Sequence, residues 1–189
     1  MEKTKRKSRR IDVRDLCYIG IMAAFMAVCS WISIPTAVPF TLQTFAVFLA
    51  IGVFGGKRGT LAVAVYILLG AVGMPVFAGF SSGVGVIFGT TGGYIAGFLF
   101  TALIMWGMET AFGRSRAIFW GSAFLGLCAC YLFGTFWFLY VYARTVEPVG
   151  IMTVLGWCVF PFIVPDVIKI FMAELIGKRI RKAVRSMEV

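Results

Sequence analysis

The sequence predicts an all-α integral membrane protein of six transmembrane helices with both termini in the cytoplasm. Three observations carry that prediction. The 189 residues are 60% hydrophobic and 14% charged, whereas a soluble domain is nearer half apolar and a quarter charged. Mean hydropathy is +0.94, and the apolar runs break at roughly 20-residue intervals, the length a helix needs to cross a bilayer. The cations are also segregated. The N-terminal tail carries seven Lys and Arg, and the C-terminal end carries Lys178, Arg179, Arg181, Lys182 and Arg185. Lys57 and Arg58 lie in the turn after the second span, Arg114 and Arg116 in the turn after the fourth. Six spans put all of these on one side, which the positive-inside bias makes cytoplasmic. Arg144 alone falls opposite, and Lys169 lies within a span.

Residues 1–14 read as a basic cytoplasmic tail, 15–185 as a single six-helix membrane domain and 186–189 as a C-terminal tail. The tail resembles the start of a signal peptide, but no small-residue cleavage site follows, so it reads as retained. Span 1 covers about 15–34. Its Gly20/Ala24 and Ala23/Ala27 pairs have the small-x-x-x-small spacing that lets helix backbones approach closely in lipid. Pro35 and Pro39 break it. Span 2 covers about 40–54 and opens with Thr41, Gln43 and Thr44, polar groups at an interface or a cavity. Gln43 needs a partner in a dry site; a ligand and a neighbouring helix both qualify. Span 3 covers about 60–72.

The stretch Gly73–Tyr94 follows, uncharged and rich in glycine. Glycine is a poor helix former and permits close backbone approach. Phe77, Phe80, Phe88 and Tyr94 are interleaved, which suits an extracytoplasmic lid over a partly apolar ligand better than a solvated linker. Span 4 covers about 92–112 and carries Glu109. Span 5 covers about 117–141, with Trp137, Tyr140 and Tyr142 at an interfacial belt or a pocket mouth. Residues 151–160 are too few to cross and read as a re-entrant or capping helix. Span 6 is expected from Pro165, at the favoured first-turn position, to Val184.

Composition also excludes functions. There is no histidine, which removes the commonest metal ligand and the usual general base. Cys17, Cys29, Cys128, Cys130 and Cys158 form no C-x-x-C pair and read as buried small hydrophobes. No phosphate-binding glycine loop with its lysine is present. The net charge of +10 is accounted for by topology, so nucleic acid is not expected as a partner. No cofactor, metal or enzymatic activity is expected.

The strongest chemical signal is Asp166 with Lys169. Both are charged within an apolar span, and i, i+3 spacing puts them on one helix face. A charge there costs at least a few kcal/mol unless it is paired or faces water. Together they offer an acceptor and a donor to one cavity. The plainer reading is an acid at a helix N-terminus neutralised by the lysine. Glu174, two turns on, suits pairing with a basic residue of another helix.

Four segments, in this order and spacing, resemble BioY, the biotin-specific substrate-binding S component of energy-coupling-factor transporters. They are Val38-Pro-Phe-Thr-Leu-Gln-Thr44, Gly73-Met-Pro-Val-Phe-Ala-Gly79, Gly89-Thr-Thr-Gly-Gly-Tyr94 and Pro161-Phe-Ile-Val-Pro-Asp-Val-Ile-Lys169. The chain departs from the family's usual Gly-Pro-Thr-Gly-Gly-Tyr at Thr90, and has Phe80-Ser-Ser82 where more glycine is usual. The resemblance implies a plasma-membrane protein that captures biotin outside and delivers it through a transmembrane coupling protein driven by two ATPases, which alone bind ATP. It implies docking through Ala23 and Ala27. Biotin offers ureido N–H groups that Asp166 can accept. Lys169 can donate to the ureido oxygen or to the carboxylate. Phe77, Phe80 and Tyr94 can cover the apolar part, with Gln43 and Thr91 as further polar contacts. The alternative is a stand-alone secondary transporter of a small organic anion, which the absence of a visible inverted repeat weakens.

Overall fold

The structure, a computed structural model, describes residues 12–186. Most of the basic tail expected at 1–14, and residues 187–189 of the C-terminal tail, lie outside the described residues. The described chain is a bundle of α1 (Val13–Trp31), α2 (Gln43–Phe54), α3 (Gly56–Ala71), α4 (Val84–Phe88), α5 (Gly92–Phe112), α6 (Arg116–Thr145), α7 (Ile151–Cys158) and α8 (Phe160–Ser186). Among the described residues, α1, α5, α6 and the run Ile151–Val184 through α7 and α8 are long and apolar enough to cross a membrane.

α2 holds the middle. Its 12 residues rise only about 18 Å, but they are apolar and buried on nearly every side, from Ala46 to Val53. A helix that is hydrophobic all round belongs in an interior, and α2 packs on α8, α3, α1 and α5. Its C-terminal carbonyls would be orphaned there. Arg114, from the α5–α6 turn, donates to the carbonyls of Gly52 at 2.7 Å and Val53 at 3.0 Å, where the helix dipole is negative. Glu109 accepts from the Gly56 amide at 2.8 Å, at the positive end of α3. Asp15 caps α1 and pairs with Arg58 of α3 at 2.5 Å. Arg116 of α6 meets Glu174 of α8 at 3.2 Å, as expected for that acid. These contacts gather the cationic turns at one end of the bundle.

Several expectations need correcting. α8 begins at Phe160, so Pro161 takes the first turn and Pro165 lies inside the helix. Neighbouring helices tolerate the hydrogen bond Pro165 removes. Asp166 is therefore well inside a helix, and the reading of it as a first-turn cap is lost. Ala23 and Ala27, expected as a docking surface, are buried at 2% and 5% exposure. Helix α1 turns that register inward against α3, and Gly20, with no atom near its missing Cβ, faces outward with Ala24. Cys17 and Cys128 are exposed on the helix surface, while Cys29, Cys130 and Cys158 are buried.

The segments between helices are folded. Around Pro35–Pro39, strands β1 (Ser33–Ile34) and β2 (Phe40–Thr41) pair antiparallel. The glycine-rich stretch contains a 3-10 turn at Ala78–Phe80 and then α4. It is held by bonds within itself and to the neighbouring helices. The Gly83 amide donates to the Gly70 carbonyl at 2.7 Å, and the Phe77 amide to Ser81 at 3.1 Å. Trp31 donates to the Pro75 carbonyl at 2.8 Å, and Trp137 to the Gly89 carbonyl at 2.9 Å. Trp137 is thus an anchor for this segment.

Candidate functional site

At the end opposite the cationic turns, α2, α6 and α8 converge beneath the β1–β2 hairpin. Thr41 ends strand β2 and Thr44 lies in the first turn of α2. Tyr131 comes from the middle of α6 and Asp166 and Lys169 from one face of α8. Lys169 donates to Asp166 Oδ1 at 2.8 Å and to the Thr41 carbonyl at 2.7 Å. Its ammonium also lies 4.3 Å from the centre of the Phe40 ring, a favourable cation–π position. Thr44 donates to the same Oδ1 at 2.9 Å, and Tyr131 to Oδ2 at 2.6 Å. Asp166 is 2% exposed and Lys169 6%.

A buried ion pair is retained at this cost only when the surrounding groups satisfy it. Here they do so incompletely. Lys169 has three donors and spends two on oxygen atoms. Asp166 Oδ1 is filled by two donors, whereas Oδ2 receives one. Oδ2 therefore keeps one acceptor position, and the third N–H of Lys169 has the Phe40 ring near it and no oxygen partner among the contacts of the described residues. Exchanging Tyr131 for phenylalanine is expected to cost about 1.5–3 kcal/mol of stability, the range for a hydrogen bond to a charged group. A thermal unfolding midpoint equal to that of the wild type would show that the hydroxyl does not support Asp166.

Two small cavities lie at this end of the bundle, and one of them adjoins the pair. One, of about 40 Å³, is lined by Thr41, Thr44, Tyr131, Asp166 and Lys169. The other, of about 90 Å³, is lined by Gln43, Phe77, Val86 and Thr91. Val38, Pro39, Thr41, Tyr94 and Phe98 border both. The hairpin and the first turns of α5 are the partition between them.

Of the residues expected at a site, Asp166, Lys169, Gln43, Phe77, Thr91 and Tyr94 line these chambers. Gln43 also donates to the Tyr66 hydroxyl at 2.9 Å, which donates to the Val76 carbonyl at 2.9 Å. It therefore fastens the base of the glycine-rich segment. Tyr94 shares a hydrogen bond of 3.2 Å with Thr135 and lays its ring on Gly134. Phe80 lies elsewhere. The chain turns left-handed at Gly79 and Phe80, with φ of 66° and 58°, and this swings the ring outward. It is 62% exposed and stacks on Trp31 at 5.0 Å. Tyr131 was not anticipated from the sequence, although a phenol in the middle of a membrane span needs a partner for its hydroxyl.

An ion pair buried between apolar helices, lining a small and mostly apolar chamber, defines a class. This is a multi-pass membrane protein with a buried ion pair in its interior. Its relatives give that class a family. A profile of the BioY family matches residues 2–186. The chain is 43% identical to the biotin transporter BioY of Thermotoga maritima over 173 residues, covering 90% of this chain and 97% of that one. It is 38% identical to a probable biotin transporter BioY of Pyrococcus horikoshii, covering 90% and 98%. Its fold matches the crystal structure of the S component for biotin from an ECF-type ABC transporter. The TM-score is 0.69 at 28% identity, over 90% of this chain and 92% of that one. The chain belongs to the BioY family.

Proposed function

We propose that this protein takes up biotin as the substrate-binding S component of an ATP-driven energy-coupling-factor transporter. The observation that carries the reading is the buried Asp166–Lys169 pair lining the chamber, where it can present an acceptor and a donor. A cyclic urea carries an N–H donor beside its carbonyl acceptor, the complement of that pair. Biotin contains such a urea, and the relatives are a biotin transporter and a probable one. Phe77, Tyr94 and Phe98 then cover the apolar ring and chain, with Gln43 and Thr91 at the second chamber.

The chambers are far smaller than the roughly 300 Å³ at which ligand pockets begin. Biotin is therefore admitted by merging them, which requires the Val38–Pro39 turn and the glycine-rich segment to part. In this reading the chain crosses the membrane six times. Both termini and the cationic turns are cytoplasmic, and the glycine-rich segment is outside. ATP is handled by two ATPase subunits through a transmembrane coupling protein, and this chain needs no cofactor of its own. The outward small residues available to such a partner on α1 are Gly20 and Ala24.

The test is equilibrium binding of labelled biotin to detergent-solubilised protein, competed by other vitamins. One site per chain, displaced by unlabelled biotin and not by thiamin or riboflavin, is the expected result. Absence of saturable binding would overturn the proposal. The alternative, a stand-alone secondary transporter, predicts uptake without ATPase partners that collapses when the proton or sodium gradient is removed.

A further inference from the structure

At the opposite, cationic end the bundle holds a larger cavity, of about 330 Å³, between α2, the start of α6 and α8. Its size falls within the range of ligand pockets, which begins near 300 Å³. We propose that it binds the phosphate headgroup of an anionic phospholipid. The lining has two parts. Its floor is apolar, with Ile118 and Phe119 among the residues there, and its rim carries Arg114, Arg116, Lys178 and Arg181.

Two of these cations have structural duties. Arg114 donates to the end of α2, and Arg116 pairs with Glu174. The two acids at the cavity are likewise engaged, Glu109 by the Gly56 amide and Glu174 by Arg116. Lys178 and Arg181 remain. They are three residues apart on α8, so they share one face. Among the described residues they make no ion pair or hydrogen bond. The rim is therefore net positive, with two cations uncommitted beside a preformed recess.

An inorganic anion would satisfy the rim and leave the apolar floor unused. A phosphodiester attached to glycerol and acyl chains uses both. Basic pockets between helices on the cytoplasmic side are a recurrent site for anionic headgroups. The sidedness rests on the orientation proposed above; the ligand chemistry does not.

The experiment is native mass spectrometry of the purified full chain with dioleoyl phosphatidylglycerol or dioleoyl phosphatidylcholine. The wild type should retain phosphatidylglycerol in preference. Lys178→Gln/Arg181→Gln should lower that retention by about fivefold per charge removed and leave phosphatidylcholine unchanged. Lys178→Arg/Arg181→Lys, which keeps both charges, should restore it. Equal retention of the two lipids overturns the proposal, as does identical behaviour of the two variants. Displacement of phosphatidylglycerol by millimolar glycerol phosphate would overturn it in favour of a soluble phosphate ligand. Labelled biotin binding, measured alongside, should be the same in all three proteins. If the wild type binds no biotin, the transport reading fails and the lipid result still stands or falls alone.

Discussion

Lys169→Ala is expected to cost about 3–5 kcal/mol of stability, the range for removing one partner of a buried ion pair. It should also weaken biotin binding by about tenfold or more, the equivalent of losing one well-made hydrogen bond in a dry site. Asp166 would stay 2% exposed with only Thr44 and Tyr131 donating to it. Asp166→Asn should behave differently. An amide keeps the shape and can still accept from Thr44 and Lys169, so the fold should lose less. Lys169 also retains the Thr41 carbonyl and the Phe40 ring. The amide nitrogen, however, replaces the acceptor at Oδ2 with a donor. A ureido N–H then meets another N–H, and binding should again fall by about tenfold or more. The double variant should regain stability over Lys169→Ala without regaining affinity. Thermal unfolding and equilibrium binding separate these outcomes. If both single variants bind biotin like the wild type, the ligand is held elsewhere.

Gly70→Val is expected to release the glycine-rich segment. A Cβ at Gly70 would lie 2.0 Å from the tip of the Phe77 ring. That ring is 2% exposed and packs edge-on against Tyr66 with centroids 5.7 Å apart, so it cannot step aside alone. The Gly70 carbonyl also receives the Gly83 amide. One residue thus seats both the wall of the outer chamber and the turn before α4. Overpacking of this kind costs about 1–3 kcal/mol, and here most of it should fall on the segment from 73 to 91. We expect bound biotin to dissociate about tenfold faster and limited proteolysis to cut within that segment. Gly20→Ala is the control, because nothing lies within 4 Å of a Cβ there. Equal dissociation rates for Gly70→Val and the wild type would show that Phe77 does not gate the site.

The ion pair was legible because charge is conspicuous in an apolar span. Its energetic cost demands a partner, and i, i+3 spacing supplies one locally. Tyr131 was not legible, since one tyrosine among many aromatics carries no sign of where its hydroxyl goes. On α1, spacing did not decide which small residues face outward. Gly20/Ala24 and Ala23/Ala27 have the same spacing, but successive residues of a helix point about 100° apart. Spacing names a stripe without saying which way it faces. Phe80 suits a pocket wall by residue type, while in the structure two consecutive left-handed residues turn its ring outward.

From the amino-acid order alone come the membrane class, most of the helical segments apart from α4 and the first turn of α8, the shared end of the cationic turns and the pair on the last helix. All of these are local, because hydropathy, helix breaking and charge are properties of short windows. The chamber is not local. Asp166 meets Thr44 across 122 positions and Tyr131 across 35, and Lys169 meets Thr41 across 128. Only the packing of α2 against α8, with α6 alongside, brings those groups together. That packing is decided by which faces of several apolar helices fit one another, a steric matter on which a hydropathy pattern is silent.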